Sequence, residues 1–365
     1  MSSEPEGASQ TVENAGCTPS FAGVTGHPDL PGGPCVPCGP GVPLSRTGPR
    51  STTDPDSLRA PLRTFLRTSD GVPLDALHQP YAAPAPPYEG TGGPYAHGGG
   101  GGTVPPGDHA PGDGSDDRSR FRSGDGSGRG SGRPDTAVVL AHGFTGSVDR
   151  PAVRRAAGVF GRYAAVVTFS FRGHGRSGGR STVGDREVLD LAAAVGWARE
   201  LGHARVVTVG FSMGGSVALR HAALHRDDPA TRTDAVVAVS APARWYYRGT
   251  APMRRLHWVV TRPAGRLVGR WGLRTRIQPY DWDPVPLPPV RAVPLIAPVP
   301  LLVVHGDRDP YFPLDHPRSL AAAGPAELWV EPGMGHAENA ADEGLLTRIA
   351  EWACRTERGC QGDGP

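Results

Sequence analysis

The sequence contains no lysine, so all 38 of its basic residues are arginine. Together with 52 glycines, 40 prolines and abundant alanine, this reads as the bias of a GC-rich genome, which bears on source more than mechanism. No stretch of 18 apolar residues exists, so no membrane-spanning helix is expected. The start, MSSEPEGASQ, carries acids and no apolar segment, so no secretion signal is expected. Net charge is only +2, too small for a global field that would recruit nucleic acid or an acidic partner. The 5 cysteines are odd in number and irregular in spacing. A disulfide scaffold is therefore not expected, and a reducing cytoplasm is the default compartment. Cys35 and Cys38 have CxxC spacing with Cys17 and His27 nearby, but the intervals match no common zinc pattern. Incidental thiols in an unstructured tail are the expectation, with no metal.

What is present divides the chain. Residues 1–57 are rich in Gly, Pro, Ser and Thr and cannot bury enough apolar surface to offset ordering entropy, so a disordered tail is expected. Residues 58–80 hold two short alternating apolar runs around Ser69-Asp70-Gly71, which predicts a β-hairpin with strands near 62–68 and 72–78. Residues 81–134 return to low complexity and read as a flexible insertion. The hairpin then belongs to the same sheet as the strands that follow; the alternative leaves 58–80 with the tail.

From residue 135 to 354 the pattern is regular, and 355–365 reads as a short C-terminal tail. Apolar strand runs at 137–142, 164–171, 205–210, 235–240, 299–304 and 327–331 alternate with helical patterns at 150–161, 184–201, 213–225, 315–323 and 338–354. Such alternation predicts right-handed crossovers and a mostly parallel sheet covered on both faces. Residues 241–298 read as an irregular segment.

Four motifs sit at strand ends. GFSMGG (210–215) joins a strand to a helix, the setting of a nucleophile elbow, with Ser212 at the sharp turn. Gly210 and Gly214 leave room where side chains would collide, and Gly215 eases the helix against the sheet. HGFTG (142–146) ends the strand 137–142 and can bring a backbone N–H to a reacting carbonyl. The amides of Phe144 and Met213 are therefore candidate oxyanion donors, contributing about 3–4 kcal/mol to barrier reduction. His142 itself reads as structural. HGDRDP (305–310) offers a carboxylate to orient an imidazole. Asp309, further onto the loop, is favoured; Asp307, nearer the strand end, is the alternative and suits a turn brace. GMGHAE (333–338) places His336 in a glycine-flanked turn.

With these residues in place, the chain resembles the α/β-hydrolase superfamily, and bacterial serine esterases and lipases within it. The nucleophile, acid and base arrive in the order that fold uses: Ser212, Asp309, His336. FRGHGRSGG (171–179) is similar to a loop common after the fourth strand, where Arg172 and His174 would be scaffold or rim residues. The resemblance covers 135–354 and extends to 58–80 as a leading hairpin. It implies an α/β fold with an eight-stranded, mainly parallel sheet and a hydrolase that needs no metal or other cofactor. Residues 241–298 would then be a lid after the sixth strand. It carries seven aromatics between Trp245 and Trp282, and nine arginines between Arg244 and Arg276. One reading is a vestibule for an acyl chain; others are peripheral docking on an acidic membrane, or aromatics packed inward with solvated arginines outside. The expected partner is a small-molecule ester or acyl substrate, with no nucleic acid. Serine at the elbow separates the chain from superfamily members that use Asp or Cys there. A peptidase, thioesterase, acyltransferase or non-catalytic binding protein stays open as an alternative.

Overall fold

The computed structural model describes residues 60–82 and 136–355. The expectations for the N-terminal tail, for the thiols Cys17, Cys35 and Cys38, for nearly all of the insertion 81–134 and for the extreme C-terminus lie outside the described residues.

Eight strands form one sheet: β1 (Leu62–Arg67), β2 (Pro73–Gln79), β3 (Thr136–Ala141), β4 (Ala165–Phe169), β5 (Arg205–Phe211), β6 (Ala235–Val239), β7 (Leu301–Gly306) and β8 (Glu327–Glu331). Their order is β1-β2-β4-β3-β5-β6-β7-β8. β2 runs antiparallel to both β1 and β4; every other pairing is parallel. The hairpin turns where Gly71 takes φ +82°, a conformation most side chains disfavour. Thr68 closes the turn: its N–H donates to the Val72 carbonyl at 3.1 Å, and its Oγ1 accepts the Val72 N–H at 2.8 Å.

The parallel strands are apolar on both faces, and alternation assigns each residue to one of two cores. On β3, Ala137, Val139 and Ala141 face α2 (Glu187–Glu200) and α3 (Met213–Leu224). Val138 and Leu140 face the opposite layer, α1 (Pro151–Phe160) and α9 (Glu343–Cys354). The same split continues through Val236 and Val237 on β6 and Val303 and Val304 on β7. Between these layers the strands end at one rim, where the loops carry the polar motifs.

The structure differs from the sequence pattern in three places. Residues 241–298 are not irregular throughout: they contain α4 (Ala251–Thr261), α5 (Pro263–Trp271), α6 (Pro289–Ala292) and a 3₁₀ turn (Val293–Leu295). Proline at the first or second position starts each of these, where its missing N–H costs nothing. The expected strand 299–304 is shifted to Leu301–Gly306, because Pro298 and Pro300 cannot donate to the ladder. The expected helix 338–354 is two, α8 (Ala337–Ala340) and α9, since Asp342 is extended and caps α9 by accepting the Leu345 N–H at 2.8 Å. The remaining helix, α7, spans Asp315–Ala322.

Candidate active site

Ser212 sits between β5 and α3 with φ 52° and ψ −114°. This strained backbone tips its hydroxyl off the sheet. The elbow is possible only with glycine on both sides. A Cβ on Gly210 would lie 2.2 Å from the Gly214 carbonyl oxygen, and one on Gly214 would lie 2.1 Å from the Ala141 carbonyl oxygen. The Ser212 N–H donates to the Val239 carbonyl at 2.8 Å, which ties the turn to β6.

The loops after β7 and β8 bring two further side chains to this hydroxyl. Nε2 of His336 lies 2.9 Å from Ser212 Oγ, and Nδ1 lies 2.7 Å from Oδ2 of Asp309. The other carboxylate oxygen of Asp309 accepts the N–H groups of Tyr311 (2.8 Å) and Phe312 (3.1 Å). Burial alone would raise the Asp309 carboxyl. The His336 hydrogen bond and these two amides outweigh burial and hold it below the usual carboxylate range. Asp309 therefore stays charged with no exposed side-chain surface, while His336 keeps 16 % of its side chain open. With Nδ1–H donated to the carboxylate, Nε2 is left as the acceptor facing the serine. The Tyr311 ring lies over His336 with centroids 4.4 Å apart.

Asp307 is placed elsewhere. Its Oδ1 accepts the Gly333 N–H at 2.6 Å, so it braces the turn after β8 and does not reach the imidazole.

His142 is buried behind the loop that follows β3. Its Nε2 accepts the Phe171 N–H at 3.0 Å, so the proton is on Nδ1, which donates to the Gly143 carbonyl at 2.7 Å. Burial and the neighbouring His174 push its pKa down to about 3, so the ring is neutral. Arg172 and His174 are also buried. The Arg172 guanidinium bridges Asp70 of the first hairpin and Asp190 of α2, and this bridge anchors the loop after β4. The amides of Phe144 and Met213 have no acceptor among the described residues.

Four participants have roles that the motif reading does not assign. The buried Glu338, two residues after His336, accepts the Gly143 N–H through Oε1 at 3.0 Å. Ser240, at φ 51°, receives the Ala337 N–H on its hydroxyl at 3.0 Å and so holds the turn that carries His336. Buried His305 donates from Nε2 to the Phe312 carbonyl at 2.8 Å, fixing the Asp309 loop. Tyr311 contributes an amide and a ring. His305 and Glu338 lie inside the motifs HGDRDP and GMGHAE, whereas Ser240 and Tyr311 lie outside all four.

A cavity of about 170 Å³ opens beside Ser212. Phe144 and Met213 line one side; Trp245, Met253, Leu256 and Val260 from the segment between β6 and β7 line the other. The indole N–H of Trp245 donates to the Pro286 carbonyl at 2.9 Å and that of Trp282 to the Thr182 carbonyl at 2.7 Å. Their polar ends are thus satisfied and their ring faces are left apolar. Among the described residues, no group of three or more His, Cys, Asp or Glu could hold a metal, and no helix is long and apolar enough to cross a membrane.

Residues 138–345 match the family model described as the alpha/beta hydrolase family. The chain belongs to that family. No curated protein matches it significantly. Among solved structures, this α/β hydrolase is similar to the esterase Pf2001 of Pyrococcus furiosus, with a TM-score of 0.53 and 21 % identity over 82 % of this chain and 91 % of that one. It is also similar to the alpha/beta hydrolase GrgF of Penicillium sp. sh18, with a TM-score of 0.52 and 17 % identity over 80 % of this chain and 97 % of that one. At these identities the likeness bears on the α/β-hydrolase fold, whose eight-stranded, mostly parallel sheet is the one described above.

Proposed function

We propose that this protein is a serine hydrolase that cleaves carboxylic esters with a short apolar acyl group. The observation that carries the reading is the unbroken hydrogen-bond chain from Asp309 through His336 to Ser212, ending at an apolar cavity. In this reading His336 takes the Ser212 proton as Oγ attacks the ester carbonyl. Asp309 holds the imidazole in the required tautomer and stabilises its charge. The N–H groups of Phe144 and Met213 receive the oxyanion; their lack of an acceptor among the described residues supports this role. The protonated imidazole then donates to the leaving alkoxide, and an acyl-enzyme remains. Water repeats the sequence and releases the acid.

The cavity suggests the substrate class. A dry apolar cavity of roughly 150 Å³ holds one benzene molecule, so about 170 Å³ fits an acyl group of roughly six carbons. In this reading residues 241–298 serve as a lid over the acyl group. Two experiments test the proposal together. A fluorophosphonate should label Ser212 covalently, read by peptide mapping. A series of aryl esters should show an optimum near six acyl carbons. Labelling at another residue, or none, would overturn the nucleophile assignment. Turnover that rises steadily to long chains would overturn the acyl assignment while leaving the nucleophile intact.

A further inference from the structure

Helix α5 is amphipathic in the reverse of the usual sense. Its small face is buried: Gly265 and Gly269 pack against α4 and Ile277, and a Cβ on Gly265 would meet the Trp258 carbonyl at 2.4 Å. Its apolar face is outside. Ala264, Leu267, Val268 and Trp271 stand at i, i+3, i+4 and i+7, one stripe of a helix, and all four are exposed. Leu267 is 60 % exposed and Trp271 75 %, far beyond what a helix that borders a core shows. Trp258 on the adjoining α4 extends the apolar surface, at 46 %. Val268, at 49 % exposed, completes the stripe.

The charge around the stripe is of one sign. Residues 241–298 hold ten arginines and only two acids, Asp281 and Asp283, in a chain whose net charge is +2. Arg244 pairs with Asp315, but Arg255, Arg262, Arg270 and Arg274 are exposed and have no acidic partner among the described residues. The Arg270 guanidinium lies 5.3 Å from the Trp271 ring centroid. Trp and Leu on one side with arginines flanking them is the composition of a helix that lies in a lipid interface.

We infer that α5, with Trp258 and the flanking arginines, is a docking surface for an anionic lipid bilayer. Charge complementarity decides among occupants. A second copy of this chain would set arginine against arginine, whereas anionic headgroups pair with guanidinium groups while Leu267, Val268 and Trp271 enter the acyl boundary. Docking this way would bring α4, which lines the cavity beside Ser212 through Met253, Leu256 and Val260, up to the membrane surface. The inference does not depend on the hydrolase reading, because its readout is binding.

The test is co-sedimentation of the full chain with vesicles of phosphatidylcholine alone and of phosphatidylcholine mixed equally with phosphatidylglycerol. The expected result is binding at least roughly tenfold stronger to the anionic vesicles, weakening as salt rises from about 0.1 M to about 1 M and the screening length falls from ~10 Å to ~3 Å. The double variant Leu267→Asp with Trp271→Asp should lose roughly tenfold in binding with an unchanged melting temperature, since neither side chain is in the core. Replacing Arg262, Arg270 and Arg274 by Gln should weaken anionic binding and leave binding to phosphatidylcholine alone unmoved. Equal binding to both vesicles, or full binding by the Leu267/Trp271 variant, would overturn the proposal. So would single-stranded RNA binding as tightly as the vesicles, which would make this a nucleic-acid surface. A dimer in vesicle-free buffer that the Leu267/Trp271 variant abolishes would assign the stripe to a second copy. Trp271 shielded from acrylamide quenching in the vesicle-free monomer would assign it to another part of this chain.

Discussion

The N–H of Gly143 donates to Oε1 of Glu338 at 3.0 Å, joining the loop after β3 to the turn that carries His336. Glu338 is held in turn from behind, because Arg155 donates to the carbonyls of Glu338 (2.6 Å) and Ala341 (3.0 Å). The bond uses up the amide immediately before Phe144, while the Phe144 amide itself has no acceptor among the described residues. Glu338 therefore positions the proposed oxyanion donor and the base-bearing turn against each other.

Glu338→Ala should lower kcat by about 10–10²-fold, a part of the ~10²–10³ that loss of one oxyanion donor costs. KM should change less than kcat, since Glu338 does not line the acyl cavity and borders only the neighbouring space at Ser212 and His336. Glu338→Gln retains a carbonyl oxygen for the Gly143 N–H and should recover most of the rate. Steady-state kinetics of both variants on one ester checks the point. Equal damage from Ala and Gln would show that the negative charge matters and not the acceptor.

Asp309 and Asp307 separate cleanly by geometry. Asp309→Asn can present an amide N–H toward His336 and favour the wrong tautomer, so kcat should fall by about 10⁴-fold. Asp307→Asn keeps an oxygen for the Gly333 N–H and should leave kcat within about threefold, the change expected of a surface turn. Ser212→Ala should fold normally and lose hydrolysis to a residual level. Thermal melts beside the rate measurements distinguish chemistry from folding.

Much of this arrangement is legible in the sequence. Parallel strands buried on both faces write themselves as unbroken apolar runs, and a nucleophile elbow leaves no room for side chains beside Ser212. Both constraints are local, so they mark the sequence locally. The relation between Gly143 and Glu338 spans 195 positions, so no local pattern announces it. Ser240 and Ala337 adopt positive φ without glycine, so no residue type announces the bend. The helices α4 and α5 were hidden for a different reason. Their apolar residues do not face a core in the usual pattern: α4 lines a cavity and α5 points its stripe outward, so neither reads as a helix packed on a sheet.

The cavity wall offers a test of acyl selection. Val260 lines the space beside Ser212 from α4. Val260→Trp fills it and should shorten the preferred acyl group. Each methylene excluded forfeits ~0.8 kcal/mol of burial, about fourfold in kcat/KM. A six-carbon ester should therefore lose far more than an acetate ester, whose rate should hold. The ratio of the two kcat/KM values is the measurement, and a uniform fall in both would mean that the wall supports the catalytic groups and does not select the acyl chain.

Acid stability follows from buried histidines outside the Asp309–His336–Ser212 chain. Burial pushes His142 and His221 down to about 3 and His174 to about 4, against an ordinary value of 6.5. Below pH 6.5 these imidazoles take up protons in the unfolded chain but stay neutral in the folded one. The unfolded state then binds more protons, so their contribution is complete above pH 6.5 and is lost as pH falls toward 3–4. Each adds about 1.4 kcal/mol per pH unit to the slope over that window. His221 is the informative one, since neither of its ring nitrogens has a hydrogen-bond partner among the described residues. His221→Leu removes a buried group that can charge and replaces it by an apolar one of similar size. Denaturant unfolding at pH 7 and pH 5 should show a shallower loss of stability in the variant, by about one proton's worth of slope, with stability at pH 7 equal to or above that of the parent. An unchanged slope would mean that His221 takes up its proton equally in both states.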